Sequence, residues 1–129
     1  MLTKKQGKII PNGVSLEKHE NKTVVFFTEM GYDVELIPPS NIPKTKTPDF
    51  IMNGIAWEMK SPQGKSKETL EHIFKRAKRQ SENIIIDLTR IKLSEDIAIK
   101  EIKRRFIQAK SCKRLKIITK DHKLLEFKK

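Results

Sequence analysis

Two carboxylates and an ammonium fall within one short stretch, residues 47–60, at spacings that a folded strand pair can bring together. Asp49 opens the apolar run Phe50-Ile51-Met52, Asn53-Gly54 follows as a two-residue hairpin signal, and the returning run carries Glu58 and Lys60. A period of two puts Glu58 and Lys60 on one strand face and Trp57 and Met59 on the other. Closing the hairpin at Asn53-Gly54 sets Asp49 beside the Glu58 face. Burying such acids without partners is costly, so they are expected to share a cation or a charged ligand. The plain structural alternative is a cross-strand ion pair at a sheet edge.

The elements that must position these groups can be read from caps and periodicity. Ser15 is a suitable N-cap for a helix running to about Met30, with Gly31 after its end. Its inward stripe is Leu16, Glu20, Val24 and Phe27. Glu20 is the anomaly there, either a stripe-edge residue reaching solvent or a third acid aimed at Asp49 and Glu58. Residues 32–37 read as a strand stopped by Pro38-Pro39, and the loop 40–46 holds Lys44 and Lys46 within reach of a backbone phosphate. A second helix over 66–81 buries Leu70, Ile73, Phe74 and Ala77, and Gln80 continues that stripe as a buried-edge amide or as a group that positions substrate. Lys75, Arg76, Lys78 and Arg79 occupy its other side. Residues 83–88 form a short continuous apolar run, as expected of a central strand covered on both faces. Asp87 at its end reads as a turn or capping residue rather than a metal ligand. Ser94 starts a third helix reaching about Lys110, with Arg104 and Arg105 lying away from its stripe, and two closing strands flank Asp121-His122-Lys123. This order predicts an α/β fold with a single mixed β-sheet and helices on both faces.

At 129 residues the chain suits one domain, with residues 1–14 as a lead-in arm and 15–129 as the folded unit. The net charge of +12, from 28 Lys+Arg against 16 Asp+Glu, points to a polyanionic partner, nucleic acid before an anionic membrane surface. Cys112 is the one cysteine, so the chain needs no oxidising compartment and reads as cytosolic at its site of action; delivery within a larger carrier protein stays open. No apolar run approaches the roughly 20 residues that span a bilayer, and none of signal-peptide length follows the basic start. One cysteine and scattered histidines make no tetrahedral zinc site. Gly64-Lys65-Ser66 lacks the earlier glycine of a phosphate-binding P-loop, since position 59 is Met.

Pro48-Asp49 followed by Glu58-Met59-Lys60 resembles the PD-(D/E)xK motif of the restriction-endonuclease-like nucleases. Thr47-Pro48-Asp49-Phe50, Trp57-Glu58-Met59-Lys60-Ser61-Pro62 and Gln80-Ser81-Glu82-Asn83-Ile84-Ile85-Ile86-Asp87 are similar to the C-terminal toxin domains of contact-dependent growth inhibition (CdiA) proteins, some of which cleave tRNA. The resemblance runs from about Ser15 to the end. It implies a restriction-endonuclease-like core and a metal-dependent endonuclease, with RNA favoured over DNA. It also implies a glutamate on the first helix, at Glu20, and a glutamine in the context of Gln80.

On that basis Asp49 and Glu58 are expected to hold Mg²⁺ or Mn²⁺, with Glu20 helping directly or through water and the Met59 carbonyl completing the shell. Lys60 would hold the attacking water or stabilise the pentavalent phosphate. The expected partners are tRNA or DNA, together with an acidic inhibitor protein. Three rivals remain: a DNA endonuclease of the same fold, a non-catalytic nucleic-acid-binding module, and metal-independent RNA cleavage by two convergent histidines, or one with Lys or Glu, drawn from His19, His72 and His122.

Overall fold

The computed structural model describes residues 5–43 and 46–129. In chain order the elements are β1 (Ile9–Ile10), α1 (Lys18–Glu29), β2 (Val34–Leu36), β3 (Phe50–Met52), β4 (Ile55–Lys60), α2 (Lys67–Gln80), β5 (Asn83–Asp87), α3 (Glu95–Gln108), β6 (Arg114–Ile118) and β7 (Leu124–Lys128). They build a single mixed seven-stranded sheet in the order β1-β2-β3-β4-β5-β6-β7. Each parallel step (β1 to β2, β4 to β5, β5 to β6) is bridged by a helix, and each antiparallel step by a turn or loop. The predicted mixed sheet with helices on both faces is therefore the observed one.

The two faces carry separate cores. On one, Leu70, Phe74 and Ala77 of α2 and Ala98, Ile102 and Phe106 of α3 cover Ile84, Ile86, Leu115 and Ile117. On the other, Val24 and Phe27 of α1 pack on Val34, Leu36, Phe50, Trp57, Met59 and Ile85. β5 is buried at all five positions, as its unbroken apolar run requires of a strand covered on both sides. The hairpin turns at Asn53 (φ 53°) and Gly54 (φ 74°), the two left-handed positions that a tight two-residue turn demands. Ser66 caps α2 by accepting the Thr69 N–H, where the sequence places a helix start.

Two sequence expectations are revised. The first helix begins at Lys18 rather than after Ser15, because Glu20 Oε1 accepts the Glu17 N–H at 2.9 Å and makes Glu17 the cap. Within the stretch read as an arm, Ile9–Ile10 pairs with Val34 and Glu35 as an edge strand, and the Gly7 N–H donates to the Thr28 carbonyl at 2.7 Å. Arg104 and Arg105 lie away from the buried stripe, as expected, and both bind Glu101, which is buried; Arg105 also reaches Glu71. Burial pushes the Glu101 carboxyl up, but hydrogen bonds and charge from the two arginines outweigh it and leave the pKa lowered. Lys44 and Met1 to Lys4 lie outside the described residues. No described helix is long and apolar enough to cross a membrane.

Candidate active site

β3 and β4 part where the chemistry-bearing residues sit. The backbone ladder reaches the Phe50–Trp57 pair, and the Asp49 N–H still donates to the Trp57 carbonyl at 2.9 Å. Beyond it the Met59 N–H is taken by the Asp49 side chain, Oδ2 accepting at 2.8 Å. Asp49 thus stands in for a strand neighbour and is locked against β4, on the other side of which β5 continues in parallel register from Glu58–Ile84 to Lys60–Ile86. The alternation of β4 does the rest. Trp57 and Met59 enter the α1 core, and Glu58 and Lys60 take the opposite face.

A cavity of about 230 Å³ opens at this point. Asp49, Glu58, Met59 and Lys60 form its floor, His19, Glu20 and Thr23 of α1 one wall, and Ile73 and Arg76 of α2 another. Lys60 Nζ lies 3.0 Å from Glu58 Oε2, with its side chain one-quarter exposed while that of Glu58 is 4 % exposed. Glu58 Oε1 is buried and accepts no hydrogen bond. Its acidic neighbour can donate to it only when one carboxyl holds a proton, so with both ionised the oxygen faces like charge.

The titration behaviour follows from this crowding. Burial, followed by the charge of Asp49, pushes the Glu58 carboxyl up to about 7 against the opposing pull of Lys60. Asp49 is also raised, chiefly by burial, with Glu20 adding to the rise and the Met59 N–H and Lys60 resisting it. A buried acid and a half-buried one that resist ionising together, the first with an oxygen lacking any donor, form a donor set suited to a hard cation with oxygen preference. Among the described residues no three His, Cys, Asp or Glu side chains gather closely enough to hold a metal by themselves. A cation here would draw on the two acids, a backbone carbonyl and water.

Four of the five sequence-singled side chains meet in this cavity: Asp49, Glu58, Lys60 and Glu20. Glu20 is the least committed, since its Oε1 is held by the helix cap. Gln80 does not line the cavity; it ends α2, and its Oε1 is buried without a donor. Asp87 is a structural anchor. Its Oδ2 accepts from Thr23 Oγ1 at 2.6 Å, and its Oδ1 accepts the Thr89 N–H and hydroxyl at 2.9 and 2.6 Å. That bond ties α1 to the end of β5 and holds the wall bearing His19 and Glu20 in place. Sequence reading missed Thr23 and Ser61 at the site, and named His19 only for the metal-independent alternative. Only Thr23, one residue off the helix stripe beside Val24, offered a signal, as a polar residue at a position that proves buried.

No curated protein sequence matches the chain. Among solved structures it is similar to the CdiA-CT/CdiI toxin and immunity complex from Burkholderia pseudomallei, with a TM-score of 0.67 and 22 % identity over 91 % of this chain and 92 % of that one, a likeness of fold. The family model of the contact-dependent growth inhibition CdiA C-terminal domain matches residues 46–124, more than half of the sequence and inclusive of Asp49, Glu58 and Lys60, and the chain belongs to that family.

Proposed function

We propose that the protein is a toxin domain acting as a metal-dependent endonuclease of the PD-(D/E)xK type, with tRNA favoured over DNA as substrate. The observation that carries this reading is the buried Glu58 beside the half-buried Asp49, with the Lys60 ammonium 3.0 Å from Glu58 in an open cavity. Asp49 and Glu58 would hold Mg²⁺ or Mn²⁺, with the Met59 carbonyl and Glu20, directly or through water, as further donors. Such an ion would offset the carboxylate charge and polarise a phosphodiester and a water molecule. The chain's own groups supply the remainder. Lys60, at the cavity floor, donates to a phosphate oxygen or fixes the attacking water, and Arg76 on the wall adds a second positive charge. The preference for tRNA rests on the resemblance of residues 47–50, 57–62 and 80–87 to toxin domains that cleave it.

A second reading, acid–base RNA cleavage without metal, is favoured by one observation: His19 and His122, far apart in sequence, line one cavity. A single experiment separates the cases. The protein is incubated with total tRNA and with plasmid DNA, each with Mg²⁺ or EDTA. Cleavage that EDTA abolishes supports the metal reading, cleavage that survives EDTA supports the histidines, and nicked plasmid beside intact tRNA reverses the substrate choice. The Burkholderia relative is a toxin and immunity complex; for this chain the corresponding partner would be an acidic protein that complements the +12 charge. Its co-expression is expected to relieve the growth arrest that the domain causes alone.

A further inference from the structure

Beside the Asp49–Glu58 cavity lies a second one, of about 460 Å³, and the two share a wall made by His19 and Ser61. Its volume falls within the roughly 300–1,000 Å³ of small-ligand sites, larger than a lone ion needs. Lys18 and Lys22 of α1, Arg90 after β5, and Lys120 and His122 between β6 and β7 line it, and no lining residue is acidic. None of these lysines, nor Arg90, forms an ion pair with a carboxylate among the described residues, whereas Arg104, Arg105 and Lys75 on α2 and α3 do.

Lys18 and Lys22 are exposed, whereas Arg90, Lys120 and the turn bearing His122 are held in place. Arg90 Nε donates to Ser61 Oγ at 3.1 Å and its Nη2 to the Ser61 carbonyl at 2.6 Å, so the guanidinium is fastened to the residue following Lys60. The 119–123 turn is closed by the His122 N–H to the Thr119 carbonyl, the Lys123 N–H to Thr119 Oγ1 and Thr119 Oγ1 to Asp121. Lys120 is pinned through its own N–H to Glu95 and its Nζ to the Leu93 carbonyl. Of the acids around the cavity, Glu95 is engaged by the Lys120 N–H, Asp87 by Thr89, and Glu17, 3.5 Å from His19 Nδ1, is largely exposed.

We propose that this cavity is a phosphate subsite that grips the nucleic-acid backbone next to the scissile phosphodiester, so that the substrate strand runs from the Lys120–His122 turn past His19 and Ser61 into the Asp49–Glu58 cavity. The inference rests on the nuclease reading. It assigns the substrate grip to α1 and two loops, where four cations lack acidic partners, rather than to the arginines of α3. Each cation set against a phosphate releases a counterion, so each removal is read as a loss of salt dependence.

The test compares two double variants of equal charge. Lys22→Gln with Lys120→Gln empties the cavity wall. Lys110→Gln with Lys113→Gln removes the same charge from the connection into β6, whose first residue, Arg114, pairs with Asn83 at the far end of β5. All four side chains are exposed, so both proteins are expected to fold. Each pair is placed on the Glu58→Gln background, and binding of a short labelled single-stranded RNA and of its DNA counterpart is measured across roughly 50–200 mM salt. The expected result is that the first pair lowers the slope of log affinity against log salt by roughly 0.7 per lysine and weakens binding about five- to tenfold at the lower salt. The second pair should leave both near the parent values. In the cleaving protein the first pair should raise KM with kcat kept. Equal slopes in the two pairs, with cleavage intact, would overturn the subsite and spare the nuclease. A slope lost only in the first pair, in a protein that cleaves neither polymer under any condition, would keep the subsite and overturn the nuclease.

Discussion

Replacing Glu58 by Gln should stabilise the metal-free protein, and only above a definable pH. A carboxyl moved from 4.5 to about 7 on folding holds its proton more tightly in the native state than in the unfolded one. Between those values the native chain binds more protons, so stability falls as pH rises through the window and is lost above it. At about 1.4 kcal/mol per pH unit the loss amounts to about 3 kcal/mol. Solvent screening removes little of it, because the Glu58 side chain is 4 % exposed. Glutamine has the shape of the protonated acid and an amide that can donate to Asp49.

The variant should therefore match the parent near pH 4.5 in EDTA and exceed it by about 3 kcal/mol at pH 8, a rise of roughly 10 °C in Tm for a domain of this size. Thermal unfolding followed by circular dichroism or calorimetry reads the difference directly. Glu71, Glu101 and Asp121 are all lowered, so their contributions are lost below their ordinary values and fall outside the window. Adding Mg²⁺ should narrow the gap from the other side, since ligand at 100 times its Kd raises the parent by about 2.7 kcal/mol and the variant by much less. A Glu58→Gln protein no more stable than the parent at pH 8 would refute the reasoning. So would a parent whose stability rises between pH 5 and 8.

Asp49→Asn and Lys60→Gln should each abolish cleavage while the circular dichroism spectrum is preserved; turnover at the parent rate by the Asp49 variant would remove that residue from the chemistry. Thr23→Val leaves the buried Asp87 without the 2.6 Å hydroxyl donor and should cost about 1–3 kcal/mol, with Thr23→Ser restoring most of it in the same unfolding assay. Arg76→Gln should weaken binding to nucleic acid more than Arg104→Gln, because Arg104 is already committed to Glu101 at 2.6 Å; equal losses in a salt titration would show that the α3 arginine is available to phosphate.

Much of the site was legible because its information is local. Asn53-Gly54 fixes the turn, the turn fixes the register, and a period of two then decides which of Trp57, Glu58, Met59 and Lys60 face the same way. α2 and β5 follow similarly from Ser66, from the Leu70–Ala77 stripe and from an unbroken isoleucine run. What escaped the sequence depends on distant groups meeting. β1 is two residues long and is a strand only because β2 offers it an edge. Glu101 lies on the side of α3 that turns toward the core, and its burial becomes tolerable only through Arg104 and Arg105. The basic cavity joins a helix start, the segment after β5 and the β6–β7 turn, three segments with no sequence pattern in common.

The arrangement also explains why an unfavourable pair of acids can persist at the centre of so small a domain. Glu58 sits on a strand whose inner neighbours cannot shift to relieve it. β5 is buried at every position on one side, and on the other the Asp49 side chain occupies the Met59 N–H. Moving Asp49 away from Glu58 would break that bond and expose a backbone donor at the split between β3 and β4. The backbone hydrogen bond and the electrostatic conflict are thus made by the same carboxylate, so the fold cannot keep one and discard the other. Lys60 Nζ, 3.0 Å from Glu58 Oε2, offsets part of the conflict from within the chain, and a proton or, on the proposed reading, a bound cation would offset the rest. On the proposed reading, the +12 charge of the molecule would disfavour a free cation and favour one carried in by a polyanion.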